Sequence, residues 1–229
     1  MRVVTFNIHH GTVGSTGPVD PDRLGRVCAE FEADVLALQE VDLKTRRARG
    51  ADLAGSVARS TGMEHRYAPS LKLEGGWYGN ALFVRGEIGH HDVAYLPRSG
   101  RQEQRTVLVA SVRVDGVALT VAACHLAVEP ELGHVHLDAL ADLVEVVDRP
   151  LVVLGDTNRE PAEVEPYARR LGLTMAAHGP TQPATRPRLA IDHVMVTADL
   201  VITDVEVRPT EMSDHCALVV DLRGPRTRS

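Results

Sequence analysis

Aromatic residues are scarce in this chain: phenylalanine, tryptophan and tyrosine together make up 3% of its 229 residues. Apolar residues make up 44% and are biased towards valine, leucine and alanine, so we expect an aliphatic core in a single large domain. No segment has the roughly 18 consecutive apolar residues of a membrane helix. An apolar segment follows Met1 almost at once and leaves no room for a leader peptide, so we expect a cytoplasmic protein.

Cysteine is also scarce. Cys28, Cys124 and Cys216 are an odd number, lie far apart, and each sits within an apolar segment. This pattern is typical of buried free thiols in a reducing compartment rather than of a disulfide framework. We assign Cys124 no nucleophilic role, because neighbouring side chains in a strand point to opposite faces and His125 would face away from it.

Basic residues are not in excess, since 25 lysines and arginines stand against 31 aspartates and glutamates, a formal net charge of −6. Proteins that neutralise many phosphates usually carry a basic stripe. The basic runs here are short and lie at residues 44–49, 98–105 and 223–228. This balance argues against a long nucleic-acid duplex as the preferred partner.

Polar residues stand at the ends of apolar segments that are predicted to be strands buried on both faces. The residues that share this arrangement are Asn7 after 3–6, Glu40 after 35–38, Asp156 and Asn158 after 151–154, Asp192 before 194–196, and Asp214 and His215 before 216–220. Strands hold such side chains rigidly, and the set contains only carboxylates, amides and an imidazole. The pattern therefore indicates one metal-assisted active site.

The remaining periodicities predict many strands and few helices. Strands are expected at 2–9, 35–40, 80–85, 90–95, 106–114, 117–125, 151–155, 191–197, 201–208 and 216–222, with Asp115 and Gly116 as a two-residue hairpin turn. Helices are expected at 20–31, 52–60, 137–147 and 161–171. Two packed sheets with helices on their outer faces fit this pattern better than a doubly wound sheet. We expect one domain at 1–222, a loop at 178–188 and a flexible basic tail at 223–229.

These motifs, in their order along the chain, resemble those of the endonuclease/exonuclease/phosphatase superfamily. The matching residues are Asn7 in Thr5-Phe6-Asn7-Ile8-His9, Glu40 in Leu38-Gln39-Glu40-Val41, Gly79-Asn80, His125-Leu126, Gly155-Asp156-x-Asn158, Ile191-Asp192-His193 and Ser213-Asp214-His215. The resemblance spans residues 2 to about 221. It implies a deoxyribonuclease-like, four-layered α/β sandwich and the hydrolysis of phosphoester bonds, in a superfamily that includes nucleases, neutral sphingomyelinases and inositol polyphosphate phosphatases.

The candidate metal ligands are Glu40, Asn7 and Asp214. A carboxylate at the end of the buried segment 35–38 would be costly to bury without a cation, so Glu40 is the first choice as a ligand of Mg²⁺ or Mn²⁺. The Asn7 amide could give its oxygen to the metal or its protons to phosphate. Asp214 is expected to face away from His215 in a strand and to serve the metal or a second cation. The alternatives are an exposed glutamate and a turn-forming asparagine.

The candidate catalytic residues include Asp156 and Asn158, which would face the same way on an extended segment. The carboxylate would then orient the attacking water, and the amide would hydrogen-bond a phosphoryl oxygen. The alternative is an Asx turn after a strand. Asp192 is the natural partner of His215, because its carboxylate would fix the imidazole tautomer and favour the charged form. The resemblance implies the same pair.

The resemblance implies three further roles. It places His125 at the leaving group or at a phosphate oxygen, Asn80 where a side chain orients that histidine, and Arg105 near the scissile phosphate. The alternatives are a satisfied core histidine and a solvated arginine. All three residues are candidates for the catalytic and substrate-binding machinery.

The histidines near the first motif complicate the choice of metal. In a strand, His9 would share the face of Asn7, which makes it a candidate substrate contact. His9, His10 and His193 could instead build a zinc site. They lack the ligand spacing of a zinc motif, so Mg²⁺ or Mn²⁺ remains the expected cofactor.

The composition and the motifs together favour a monomeric enzyme that acts on a small or lipid-derived phosphodiester. Few aromatic residues for base stacking and the negative net charge disfavour a DNA or RNA nuclease, which is the alternative and would use residues 44–49 and 98–105 as phosphate contacts. A catalytically silent binding domain with the same fold is a further alternative. Glu40, Asp156, Asp192 and His215 are all present, which favours an enzyme.

Overall fold

The computed structural model describes residues 1–224, and strands dominate it. The strands are β1 (Arg2–Asn7), β2 (Val35–Leu43), β3 (Glu64–Leu73), β4 (Gly76–Val84), β5 (Glu87–Tyr95), β6 (Thr106–Val114), β7 (Val117–His125), β8 (Leu151–Asp156), β9 (Leu173–Met175), β10 (Asp192–Thr197), β11 (Val201–Arg208) and β12 (Ala217–Arg223). They form two six-stranded sheets, with the strand orders β11-β12-β1-β2-β4-β3 and β5-β6-β7-β8-β10-β9.

The helices lie on the outer faces of the sheets. They are α1 (Pro21–Glu30), α2 (Leu53–Thr61), α3 (Pro130–Glu145) and α4 (Pro161–Arg170), and a 3₁₀ turn spans His9–Gly11. The side chains of Asp20 and Asp52 cap α1 and α2, because each accepts the N–H of the residue three positions further on. Within residues 1–224, none of the helices has the length and apolarity needed to cross a bilayer.

Three apolar clusters hold the layers together. The central one lies between the sheets and joins residues such as Val35 of the first sheet to Leu108 of the second. The other two pack α1 and α2 on the first sheet and α3 and α4 on the second. The four-layered α/β sandwich expected from the sequence is therefore confirmed. The three cysteines are buried and unpaired, also as expected.

Parallel pairing brings the polar strand ends together. β1 pairs in parallel with β2, and β7 pairs in parallel with β8, so each sheet presents two carboxyl ends at one edge. β10 runs antiparallel to β8, which places its first residue, Asp192, at the same edge. The Asn7 side chain at the end of β1 contacts the Asp156 side chain at the end of β8. The polar ends of both sheets therefore meet.

A β-bulge in β2 positions Glu40. The pairing of β2 with β4 slips between Leu38 and Val41, and Glu40 has a φ of 59°, which is uncommon for a residue other than glycine. A bulge bends the strand and re-aims a side chain while the strand continues beyond it. Glu40 thereby comes within reach of the Asn7 amide.

The strand ends differ from the sequence prediction in several places. β1 ends at Asn7 rather than at residue 9, because the chain enters the 3₁₀ turn, where His9 and His10 have φ values of 43° and 47°. The sequence pattern does not reveal β3 and β9, which are edge strands; β3 also contains Pro69, which weakens a strand prediction. β12 includes Arg223, the first residue assigned to the basic tail, and residues 225–229 of that tail lie outside the described residues.

Gly155 allows β8 to approach β7 closely just before the polar edge. A Cβ atom at this position would lie 2.0 Å from the Cys124 carbonyl oxygen, and the φ of Gly155 is +154°. We expect Gly155→Ala to lower the free energy of unfolding by about 1–3 kcal/mol, which is the usual cost of overpacking. Urea denaturation of the two proteins measures this difference.

Gly179→Ala is the matched control, because nothing lies within 4 Å of a Cβ atom placed there. Its unfolding midpoint should match that of the unmodified protein. An equal midpoint for Gly155→Ala would contradict the close approach of the two strands.

Candidate active site

Three titratable side chains stand side by side in the second sheet. His125 of β7 lies opposite Asp156 of β8, and Asp156 lies opposite Asp192 of β10. Their exposed fractions are 3%, 1% and 0%. The Nε2 atom of His125 is 3.5 Å from Oδ2 of Asp156. Two carboxylates at this depth require compensating charge or hydrogen bonds.

The Asn7 side chain connects this row to the first sheet. Its Nδ2 atom donates to Oδ2 of Asp156 at 3.0 Å and to Oε1 of Glu40 at 3.2 Å. Its Oδ1 atom, the one that could bind a metal, accepts the N–H of His9 at 3.0 Å. In this arrangement the amide protons of Asn7 hold the two carboxylates near each other, and metal ligation by its oxygen remains a prediction.

Asp192 and His215 are in contact, as the sequence predicts. Oδ2 of Asp192 is 2.9 Å from Nδ1 of His215 and also accepts a hydrogen bond from the Thr181 hydroxyl at 2.5 Å. Burial alone would lower the pKa of His215, but the charge and hydrogen bond of Asp192 raise it to about 10. The imidazole is therefore charged at neutral pH. Thr181 lies in the loop after β9, and the sequence offers no distinctive signal for its role.

The pKa of Asp156 is raised, which favours the neutral acid. Burial and the nearby charge of Asp192 raise its pKa to about 7, against the opposing effect of His215. Nε2 of His215 is 3.9 Å from Oδ2 of Asp156. A divalent cation beside the carboxylate would offset the repulsion between the two acids and lower this pKa.

Arg105, rather than Asn80, contacts His125. Its Nη1 atom lies 2.7 Å and 2.9 Å from the two ring nitrogens, and burial together with this charge lowers the pKa of His125 well below its usual value. The Asn80 amide instead donates to the carbonyl oxygen of Thr106 at 3.1 Å. The expectation that Asn80 orients His125 is wrong for the described residues, because Thr106, the first residue of β6, accepts the amide protons.

Asn158 lies in an Asx turn rather than in an extended segment. Its φ is 53°, and its N–H donates to Oδ1 of Asp156 at 2.9 Å. The expectation that the two side chains face the same way along an extended segment is therefore wrong, and the Asx-turn alternative is observed. The Asn158 side chain donates to the carbonyl oxygen of Leu126 at 3.1 Å, so it supports the segment that follows His125.

Arg159, which is not among the site residues predicted from the sequence, also supports the segment that follows His125. Its Nη2 atom donates to the carbonyl oxygens of Ala127 and Val128 at 3.0 Å and 2.7 Å. Gly133 of α3 leaves room for it, because a Cβ atom there would come within 2.3 Å of the Arg159 Nε atom. The available sequence signal is an arginine directly after the Gly-Asp-x-Asn motif. Arg159 thus fixes the backbone after His125.

His9, His10 and Asp214 lie on the side of the site formed by the first sheet. His9 stands in the 3₁₀ turn and Asp214 in a bend before β12, so the strand-alternation arguments for both residues are wrong. Nδ1 of His9 is nevertheless 3.3 Å from Oδ1 of Asp214. Nδ1 of His10 is 3.8 Å from Oε2 of Glu40. Burial acts to raise the pKa of Glu40, but contacts led by that with His10 hold it well below its usual value.

Two groups of side chains could hold a divalent cation. Each contributes three ligand atoms within 4.8 Å of one another, and the members are His9, His10 and Glu40 in one and Asp156, Asp192 and His215 in the other. The buried Oδ1 atom of Asp192 has no hydrogen-bond partner among the described residues. Because the charged His215 ring has no free lone pair for a metal, the carboxylates of Asp156 and Asp192 are the available ligands of the second group, and their oxygens, one of them unsatisfied, suit a hard cation such as Mg²⁺ or Mn²⁺.

His193 belongs to neither group. Its Nε2 atom lies 2.8 Å from the carbonyl oxygen of Arg159, and its Nδ1 atom is 3.4 Å from Nε2 of His178. Burial lowers its pKa to about 4. The rival zinc site that combines His193 with His9 and His10 is therefore wrong, because β10 directs His193 away from them.

Known proteins resemble this chain in both sequence and fold. The model of the Endonuclease/Exonuclease/phosphatase family matches residues 4–215. No curated protein sequence matches the chain. Solved structures match it along nearly its whole length.

Three of these structures illustrate the range of sequence identity and structural similarity among the matches. An endonuclease/exonuclease/phosphatase from Beutenbergia cavernae has 23% identity and a TM-score of 0.83, with 98% of this chain and 71% of that chain covered. The catalytic domain of human nocturnin with bound sulfate has 19% identity and a TM-score of 0.74, with 98% and 94% covered. A mannosyl-6-phosphatase from Bacteroides thetaiotaomicron has 14% identity and a TM-score of 0.73, with 97% and 99% covered. At these identities the likeness shows the shared fold.

The buried contact between Asp192 and His215 generates a test of paired action. We expect Asp192→Asn and His215→Ala each to reduce kcat/KM for a phosphodiester severely, by roughly 10²-fold or more, and the double variant to lose little further, because a pair acting as one unit can be broken only once. Steady-state kinetics on the four proteins measures the coupling, with circular dichroism to check folding.

The exposed pair His90 and Asp92, whose atoms lie 2.7 Å apart, provides the matched control. His90→Ala and Asp92→Asn should leave kcat/KM unchanged. Independent, multiplicative losses in the Asp192 and His215 double variant would show that the buried residues do not act as a unit.

Proposed function

The chain belongs to the endonuclease/exonuclease/phosphatase family, whose members are generally hydrolases of phosphoester bonds, and we propose that it is a divalent-metal-dependent phosphodiesterase of small or lipid-derived diesters. The observation that carries the proposal is the convergence of Glu40 and Asp156 on the Asn7 amide, beside the pair of Asp192 and His215. Phosphoester hydrolysis needs an activated water and compensation of negative charge on the phosphoryl oxygens.

Glu40 is the proposed principal ligand of Mg²⁺ or Mn²⁺. Its low pKa keeps it ionised, and the bulge in β2 directs it towards Asn7. Asn7 and Asp214 are further candidate ligands; Oδ1 of Asn7 accepts the N–H of His9 with one lone pair and has a second lone pair for the cation. When bound, the cation supplies positive charge that stabilises the phosphoryl oxygens and the developing transition state.

Asp156 is the proposed acceptor of the proton from the attacking water. It is buried among polar side chains at the meeting point of the sheets, and its pKa of about 7 without a cation would fall when one binds, which leaves the carboxylate ionised and able to accept a proton at neutral pH. His215 carries its charge through its contact with Asp192, so its Nε2–H is free to donate to a phosphoryl oxygen. In this proposal Asp156 takes the proton, and His215 stabilises the negative charge on the phosphoryl oxygen.

His125 and Arg105 form the proposed leaving-group side of the site. The low pKa of His125 keeps the ring uncharged, and the adjacent Arg105 guanidinium supplies the positive charge that a departing oxygen requires. Asn158 and Arg159 hold the backbone after His125 in place. The side-chain oxygen of Asn158 and the second N–H of its amide stay available for a substrate.

The nuclease alternative has less support from the charge distribution. Within the basic run at 44–49, Arg47 forms two hydrogen bonds with the buried Asp42 at 2.7 Å and 2.8 Å, so its charge is already used. The run at 98–105 remains available. The silent-domain alternative is disfavoured because the acids and imidazoles are assembled rather than dispersed.

The remaining parts of the proposal concern the setting of the enzyme. Three buried free thiols suit a reducing compartment, so we propose a cytoplasmic location. We also propose that the chain acts as a monomer, since each of the site side chains described above comes from the same chain.

Glu40 provides the most direct test of metal dependence. We expect the unmodified protein to lose activity in EDTA and to regain it with Mg²⁺ or Mn²⁺, and Glu40→Ala to abolish activity while the fold survives. The reason is that Mg²⁺ keeps several waters and relies on few carboxylates, so the loss of one removes most of its protein contact.

Glu145→Ala, at the exposed end of α3, is the control and should keep full activity. Isothermal titration should show weaker Mg²⁺ binding for Glu40→Ala than for the unmodified protein, and unchanged binding for Glu145→Ala. Full activity of Glu40→Ala in Mg²⁺ would exclude the metal assignment.

The substrate class can be tested with salt. We expect a small chromogenic diester to be hydrolysed faster than a supercoiled plasmid is nicked, with a shallow dependence on salt, because the net charge of −6 gives few phosphate contacts for salt to displace. Both reactions should be measured side by side across a salt series. Faster plasmid nicking that falls steeply with salt would favour the nuclease alternative.

A further inference from the structure

A groove of about 710 Å³ opens between the hairpin of β3 and β4 and the segment that connects β5 to β6. This volume lies in the usual range of small-molecule sites, roughly 300–1,000 Å³. Two large aromatic side chains line it, Trp77 from the hairpin and Tyr95 from the end of β5. They are 37% and 59% exposed. The chain has few aromatic residues, so two exposed ones in the same groove are a notable concentration.

The groove is also positively charged, although the chain is acidic. Lys72, Arg98 and Arg101 line it together with one acid, Glu103. Glu103 lies 3.4 Å from Nη1 of Arg105, so its charge is partly compensated. The ammonium of Lys72 stands 5.4 Å from the centre of the Trp77 ring. Aromatic faces next to guanidinium groups are complementary to a flat ring that carries an anion.

The groove begins at the proposed leaving-group side of the active site. Arg105, which contacts Glu103 of the groove, also contacts His125. Ser70 of the groove shares a hydrogen bond of 2.9 Å with the hydroxyl of Thr106. The groove therefore lies directly beside the contact of Arg105 with His125, which makes it the neighbouring position for the remainder of a ligand whose phosphate lies at His125.

The wall that carries the arginines is tied to the segment after His125. Gln104 donates to the carbonyl oxygen of Leu96 at 2.8 Å. Nε2 of His136 lies 2.7 Å from the carbonyl oxygen of Pro97, while its Nδ1 atom accepts the N–H of Ala127 at 3.1 Å. Because Nδ1 is the acceptor, Nε2 is the protonated nitrogen and donates to Pro97. The groove is thus held in a fixed position relative to the site.

We propose that this groove is a substrate subsite for a heteroaromatic ring joined to a phosphate, that is, for a small nucleotide-type phosphodiester. The ring stacks on Trp77 and Tyr95, and Arg98 and Arg101 meet the charge of a flanking phosphate. The assignment narrows the proposed function and rests on it, because the groove is read as an extension of the leaving-group side. A glycerol headgroup would leave both aromatic faces without a partner, and the positive charges of Lys72, Arg98 and Arg101 would repel the quaternary ammonium of choline, which aromatic faces otherwise bind.

Trp77 is the only tryptophan of the chain, so its fluorescence reports on the groove directly. With EDTA present to prevent turnover, we expect adenosine 5′-monophosphate to quench Trp77 saturably, while inorganic phosphate and glycerol 3-phosphate do not. Tyr95→Ala and the double variant Arg98→Ala/Arg101→Ala should each weaken nucleotide binding by about tenfold, as expected for the loss of a stacking partner or of charged phosphate contacts.

Arg113→Ala is the matched control, because it removes an exposed arginine at the opposite end of β6 from the groove. Its nucleotide affinity should be unchanged. Equal quenching by glycerol 3-phosphate, absence of quenching, or quenching that survives both the Tyr95 and the double arginine substitutions would overturn the subsite. Affinity that rises steeply with the length of a single-stranded oligonucleotide would overturn the small-nucleotide assignment in favour of nucleic acid.

Turnover assays separate a failure of this inference from a failure of the proposed function. Mg²⁺-dependent hydrolysis of diesters without ring-dependent quenching would refute the subsite alone. Ring-dependent quenching in a protein that hydrolyses no phosphoester would refute the hydrolase proposal and support the subsite. If both the hydrolase activity and the subsite are present, the Tyr95 and arginine variants should raise KM for a nucleoside phosphodiester more than KM for a glycerophosphodiester, and Arg113→Ala should change neither.

Discussion

The contact on which the site depends is the one between the Asn7 side chain of the first sheet and the Asp156 carboxylate of the second, 3.0 Å apart. The same amide nitrogen also donates to Glu40. Two sheets packed through aliphatic side chains would otherwise present separate polar edges. The hydrogen bonds of one asparagine join these edges into a single buried site, in which Asn7 and Glu40 of the first sheet face Asp156 of the second.

Burial and the charges of neighbouring side chains together set the charge of each group around this contact. Without a bound cation, Asp156 is pushed towards its neutral form by Asp192, whereas His215 is held in its charged form by the same residue. His125 is driven to its neutral form beside Arg105. At neutral pH one imidazole of the site, His215, is thus positively charged and the other, His125, is uncharged, because their neighbours differ in sign. This asymmetry gives each side of a bound phosphoester a different chemical partner.

The sequence predicts most of the buried strands and the contact of Asp192 with His215, because apolar runs and ordered motifs carry that information. It cannot predict features that arise from tertiary pairing. Glu40 reaches the site through a bulge that depends on its register with β4, and Asn80 turns to Thr106 because of where β6 begins. Low aromatic content suggests no stacking surface, yet Trp77 lies in the same groove as another exposed ring once the hairpin folds.

Locating the cation tests the central claim most directly. Anomalous diffraction from a crystal soaked in Mn²⁺ would show where a divalent ion binds. We expect a peak at the meeting point of the sheets, within a coordination distance of about 2.0–2.6 Å from a carboxylate oxygen of Glu40, and no such peak in Glu40→Ala. A peak elsewhere with this site left empty would contradict the claim that the converging acids form a metal-dependent phosphoesterase centre.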